Sequence, residues 1–271
     1  LIALQSVVAV PLKRAAVSGV LSVMALLPFA SPGAAQACPG HPGAVGTTRV
    51  IAIDPRVYPR VGTLQFPQTL PLRDREVVLT FDDGPSPETT AKVLDALAAE
   101  CVRANFFMLG VNAKASPDLV RRAFAEGHTV GTHSQTHPSL AELPLTAAEK
   151  EITDGFDSAN AALGEDGPVA PFFRAPYLVT TPALDDYLVK RGIMLWSIDV
   201  DPEDWRPQRT PEEVVTQIVE QLEKKRSGIV LMHDVQPHTA AAVPMLLSEL
   251  KARGYTIAHV VYGKAEEAAA R

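Results

Sequence analysis

The chain is short of cysteine, with two in 271 residues, Cys38 and Cys101. Neither has a neighbouring ligand at finger spacing, which argues against a structural zinc module. A single disulfide tying the N-terminal region to the rest and a pair of free thiols both stay open. Positive charge is also in deficit: 25 Lys and Arg stand against 31 Asp and Glu, a net charge of −6. Nothing in that balance points to nucleic acid or anionic lipid, whereas a neutral glycan is compatible with it. There is no internal repeat and no low-complexity tract. No glycine-rich dinucleotide or phosphate loop follows the first apolar strand of the main domain, which weakens a nucleotide-binding reading. The longest apolar run near the start, Ala15 to Ala30, is too short for a comfortable membrane span.

What is present is an ordinary globular composition, 46% hydrophobic and 21% charged, long enough for one large domain with a real core. Residues 1–37 read as an export signal. Lys13 and Arg14 precede the apolar run, and Ala35-Gln36-Ala37 offers a small-residue cleavage pattern ahead of Cys38. Export to the periplasm or the cell exterior is expected, with no stable membrane insertion after cleavage. An uncleaved anchor is the alternative. Residues 38–75 are rich in Pro and Gly and predict an irregular arm laid on the domain surface. Residues 263–271 form a tail.

From Glu76 onward short apolar runs alternate with amphipathic stretches. Strands are expected at Val77–Phe81, Ala104–Leu109, Thr129–Thr132, Pro171–Arg174, Ile193–Val200, Gly228–His233 and Tyr255–Val260, with helices between them. Thr210-Pro211-Glu212-Glu213 and Ser116-Pro117-Asp118 look like helix starts. Such alternation implies an α/β fold with parallel strands and crossover helices. Polar groups follow the C-terminal ends of many strands, which favours a distorted (β/α)7-type barrel over an open sheet with one switch point.

Those strand ends carry the chemistry. Val77–Phe81 runs into Asp82 and Asp83, then Gly84-Pro85. Neighbours on an extended chain point opposite ways, so only the turn can bring both carboxylates to one site. After the third strand come His133 and His137, at a spacing where two imidazoles on one face of a helical turn can share a metal. Two surface histidines are the plainer alternative. With one carboxylate they make a three-ligand set suited to catalytic Zn²⁺. Arg174 ends the fourth strand, either at the surface or beside an ionised Asp whose pKa it would lower. Asp199 to Trp205 is a solvated loop or a groove wall. His233 ends an apolar strand on the same rim, where a core histidine is the usual reading.

TFDDGP, HSQTHP, RAPY, DPEDW and LMH, in this order, resemble the five motifs of the polysaccharide deacetylases of the NodB-homology type, carbohydrate esterase family 4. The resemblance covers about Glu76 to Tyr262. It implies a metal-dependent hydrolase, usually with zinc, that removes N-acetyl groups from N-acetylglucosamine-containing polysaccharide such as peptidoglycan or chitin oligomers. It also implies roles. Asp82 would be the general base, and Asp83, His133 and His137 the metal ligands. Arg174 would orient Asp82, and the Tyr177 backbone N–H would bind the oxyanion. Asp204 would pair with Arg174 or His233, Trp205 would wall the groove, Leu231 would receive the acetyl methyl, and His233 would be the general acid. Three other functions share parts of this set: an esterase acting on O-acetyl xylan, a non-catalytic glycan-binding domain, and an Fe(II) oxygenase. The sequence does not speak to oligomeric state.

Overall fold

The computed structural model describes Cys38 and residues 41–263; the export-signal reading of 1–37 and the tail beyond 263 lie outside the described residues. The described residues form β1 (Thr47–Ile53), β2 (Arg60–Val61), β3 (Glu76–Asp82), β4 (Asn105–Met108), β5 (Thr129–Thr132), β6 (Phe172–Phe173), β7 (Met194–Trp196), β8 (Gly228–His233) and β9 (Thr256–Tyr262). The helices are α1 (Thr90–Ala99), α2 (Gly110–Ala115), α3 (Pro117–Ala125), α4 (Leu145–Leu163), α5 (Pro182–Lys190), α6 (Pro211–Lys225) and α7 (Pro237–Ala252).

All strand pairs are parallel. The path runs β1-β9-β3-β4-β5-β6-β7-β2, with β8 along the other edge of β3. Between β7 and β8 a single bridge, Val200 to Val230, spans the gap, so the barrel is distorted there. Expecting one strand from Ile193 to Val200 overstates β7, which stops at Trp196. The arm is the reason: Ser197 N–H donates to Val61 and Leu64 N–H to Ile198, so backbone groups past Trp196 are used by residues 61–64.

Alternation along the strands decides what faces the barrel. On β3, Val77, Leu79 and Phe81 pack against the surrounding helices, while Val78 joins an inner cluster with Phe107, Phe172, Trp196 and Ile229. Thr80 and Asp82 share the parity of Val78 and so point inward. The same count sends Leu231 and His233 inward from β8. A floor of apolar side chains thus underlies a polar layer at the C-terminal rim, as in (β/α) barrels.

The arm is more regular than its composition suggests. Thr47–Ile53 pairs with β9, with an irregularity between Thr47 and Arg49, and Arg60–Val61 pairs with Leu195–Trp196. Cys38 and Cys101 form a disulfide, Cα–Cα 5.6 Å, that ties the arm to the turn after α1. Capping follows the sequence in one case and not the other. Thr210 and Glu213 make a reciprocal capping box at α6. Ser116 makes no side-chain cap at α3; it is shared with α2, whose C-cap it also is.

Two histidines lie buried away from the rim residues. His259 on β9 is 2% exposed and bonds Thr129 Oγ1 through Nε2 at 2.9 Å. Burial, with His128 and Arg103 adding to it, pushes its pKa down to about 3, against an ordinary 6.5. The unfolded chain therefore binds a proton that the folded chain refuses between those values. Stability is unaffected by this group above about pH 6.5 and falls as pH drops toward 3. A His259→Gln variant keeps a donor for Thr129 and should flatten that slope; denaturant midpoints at pH 7.5, 5 and 4 measure it. An unchanged slope would remove His259 as a source of acid lability.

Candidate active site

The rim residues converge on one cleft of about 400 Å³. It is lined by Asp82, Asp83, His133, His137, Tyr177, Leu178, Asp201, Trp205, Leu231 and His233, with Ala175. A larger groove of about 840 Å³ lies between α6 and α7, among exposed Glu and Lys side chains, and holds none of these groups.

Asp82 ends β3 fully inside the barrel at 2% exposure. Arg174, 0% exposed, donates through Nη1 to Asp82 Oδ1 at 2.7 Å and to Thr80 Oγ1 at 2.9 Å, and its guanidinium lies 4.3 Å over the Phe107 ring. Arg174 lowers the Asp82 pKa, as its position at the strand end implied, but it is not the largest influence. Burial raises it, Arg174 and His233 oppose that, and the net direction is up.

Asp83 leaves the strand with φ 74°, a left-handed conformation that turns its carboxylate back toward the barrel mouth. Asn112 on α2 holds its carbonyl at 2.7 Å. Gly84 follows because a Cβ there would lie 2.2 Å from Asp234 Oδ2. Asp234 is 0% exposed, receives the Thr90 hydroxyl, and burial pushes its pKa up to about 7.

His133 and His137 converge without a helical turn. Residues 133–137 are a bend, with φ 69° at Ser134 and 65° at His137. Glu151 on α4 holds this bend by accepting from Gln135 N–H, Thr136 N–H and the Thr136 hydroxyl at 2.9–3.1 Å. Gly155, one helical turn further on, lets the bend approach: a Cβ there would sit 2.8 Å from the Ser134 carbonyl. Both imidazole Nε2 atoms lie 3.5 Å from Asp83 Oδ1, which is buried without a hydrogen-bond partner. His133 Nδ1 bonds the Arg174 carbonyl at 2.7 Å. That contact puts the proton on Nδ1 and leaves the Nε2 lone pair facing the carboxylate. The three ligand atoms lie within 4.8 Å of one another, so the residues fit a divalent cation.

Across the cleft, His233 Nδ1 bonds Asp204 Oδ1 at 2.7 Å, which settles which partner Asp204 takes. Asp204 is fully buried and also receives His233 N–H and the Thr239 hydroxyl on Oδ2. Burial alone would lower the His233 pKa. The hydrogen bond and charge of Asp204, with Asp82 and Asp83 beyond it, reverse that and raise it to about 9. Leu231 is nearly buried at the cleft floor, and Tyr177 and Trp205 stand exposed on its walls. The Tyr177 ring meets His137 edge-on at 4.7 Å.

The site brings together every residue to which the family resemblance gives a role. It adds Glu151, Asn112, Gly155 and Thr239, which hold those residues from outside the five motifs and carry no local signal. Asp199, by contrast, turns away. Its carboxylate takes Thr63, Thr69 and the Ile229 N–H, fastening the arm to β8.

The comparisons agree with this geometry. The family model described as polysaccharide deacetylase matches residues 70–196. A peptidoglycan-N-acetylglucosamine deacetylase of Bacillus cereus is 35% identical over 192 residues, 68% of each chain. A chitooligosaccharide deacetylase of a Bradyrhizobium species is 33% identical, over 68% of this chain and 88% of that one. The structure of a peptidoglycan deacetylase of Bdellovibrio bacteriovorus superimposes with a TM-score of 0.70 at 28% identity, over 80% of this chain and 59% of that one. Sequence, fold and the arrangement of the rim thus lead to one assignment: the chain belongs to the polysaccharide deacetylase family.

Proposed function

We propose that this protein is an exported, metal-dependent hydrolase that removes acetyl from the nitrogen of N-acetylglucosamine units in a polysaccharide, with peptidoglycan and chitin oligomers as the substrate classes. One observation carries the reading. A buried carboxylate held by an arginine and a histidine held by a carboxylate face each other across a cleft that also holds an unpartnered Asp oxygen and two imidazole nitrogens. The Cys38–Cys101 disulfide supports an oxidising destination, consistent with the signal reading of 1–37. Among the described residues no helix is long and apolar enough to cross a membrane.

Asp83, His133 and His137 would hold the cation, for which Zn²⁺ is the best match. Bound there, it supplies Lewis acidity, polarising a carbonyl oxygen and bringing the pKa of water toward ~7. Asp82 takes the proton of the water that adds to the acetyl carbon, and Arg174 keeps that carboxylate aimed inward. The Tyr177 backbone N–H donates to the oxygen as it gains negative charge. The C–N bond then breaks only if nitrogen is protonated, since an amide anion is a poor leaving group. His233, charged at neutral pH through Asp204, gives that proton. Leu231 receives the acetyl methyl, and Trp205 offers its face to a sugar ring. Acetate and a free amine leave, so a neutral polymer becomes cationic.

The test is acetate release by the protein from Cys38 onward, on N-acetylglucosamine oligomers and on peptidoglycan, after chelation and again with Zn²⁺ restored. Release lost on chelation and regained with zinc is expected. One equivalent of zinc with no acetate from either would move the activity to O-acetylated xylan. No acetate and no bound metal would overturn the mechanism.

A further inference from the structure

The catalytic rim is touched by a segment outside the family match. Gly62–Thr69 precedes the matched residues 70–196 and docks as a closed turn. Gly62 N–H donates to the Gln68 carbonyl at 3.0 Å, and Phe66 N–H to the Gly62 carbonyl at 3.0 Å. Gly62 itself has φ 105° and sits so close to Ser197–Ile198 that a Cβ would lie 2.4 Å from the Ile198 nitrogen. Leu64 N–H bonds the Ile198 carbonyl, and Thr63 and Thr69 both bond the Asp199 carboxylate. From this anchored turn the Gln65 side chain reaches the rim, where its Nε2 donates to the Leu178 carbonyl.

Leu178 and Tyr177 are consecutive non-glycine residues in left-handed conformation, φ 57° and 59°. L residues rarely adopt that pair of dihedrals without outside support. The remaining bonds of the turn are local, Leu178 N–H to Ala175 at 3.0 Å and Val179 N–H to Pro176 at 3.2 Å. The Gln65 amide is the contact that fixes the peptide plane beyond Leu178 from a different part of the chain, 113 residues away.

We propose that Gln65 is a positioning residue: by holding the Leu178 carbonyl, the arm steadies the Tyr177–Leu178 turn that carries the Tyr177 N–H and walls the cleft. The inference rests on the deacetylase reading for its kinetic effect but not for the clamp itself. Gln65 is exposed and outside the core, so its replacement tests the contact and not the fold.

Two variants separate donor from shape. Gln65→Glu keeps the length and loses the donor; Gln65→Lys keeps a donor. Hydrogen exchange of the 177–179 amides reads the clamp without any substrate. Faster exchange is expected in Gln65→Glu, and near wild-type exchange in Gln65→Lys. In acetate release from N-acetylglucosamine oligomers, Gln65→Glu should lower kcat about tenfold with KM, zinc content and Tm unchanged, as expected for one misaimed oxyanion donor. Gln65→Lys should restore most of it. Unchanged exchange in Gln65→Glu overturns the clamp. Altered exchange with unchanged kcat overturns the link to catalysis. A fall in Tm or zinc content alongside kcat would make the role structural. Absence of acetate from the wild-type protein would instead count against the deacetylase reading, with the exchange result still deciding the clamp.

Discussion

His133→Ala is expected to remove both the bound cation and the activity. Its Nε2 is one of three atoms that could hold a cation, and its Nδ1 contact with the Arg174 carbonyl ties it to the residue that holds Asp82, the proposed base. A small side chain leaves Asp83 and His137, too few for a tight catalytic site. Metal content and acetate release should therefore fall together. Asp82→Asn should behave oppositely, because an amide oxygen can still accept from Arg174 Nη1 while no longer taking a proton. Metal should stay near one equivalent while the rate drops by roughly 10²–10⁴. Full metal occupancy in His133→Ala would show the ligand assignment to be wrong. Undiminished function in Asp82→Asn would revive a non-catalytic glycan-binding role.

The second large effect belongs to His233. Its removal should slow amide substrates by roughly 10²–10⁴ and activated esters far less, since only the amine needs a proton to leave. Equal slowing of both would end its role as the acid. The pH profile carries the same argument with a sign. An acid works while protonated, so activity is retained below its pKa and lost as pH rises through it. With the His233 pKa raised to about 9, the alkaline limb of kcat/KM should fall near pH 9. Asp204→Asn removes the hydrogen-bonded charge that raises it and should move that limb to lower pH. A limb that stays in place would mean that another group titrates there.

The strands and the rim residues were legible because each is a local pattern. An apolar run ending in Asp82, His133, Arg174 or His233 states both the strand and the position of its last side chain. What was not legible depends on partners far along the chain. Thr47–Ile53 becomes a strand through β9, more than two hundred residues later, and its Pro- and Gly-rich surroundings conceal it. The His133–His137 bend was misread as a helical turn because spacing alone is consistent with both. Glu151, on α4, decides between them by taking the backbone N–H groups of Gln135 and Thr136, and nothing local marks it. The net direction of the Asp82 pKa was hidden for a related reason, although the lowering by Arg174 was legible. Charge is visible in a sequence, but the burial that outweighs Arg174 is not.

Gly155 limits how this protein can be hardened against heat. Replacing a mid-helix glycine with alanine ordinarily stabilises a helix by roughly 0.5–1 kcal/mol, which makes it an early choice in thermostability engineering. In α4 that choice is closed, because the added methyl would press on the Ser134 carbonyl, whose bend carries both imidazoles. At this position the helix is held below its own best stability by the site it supports.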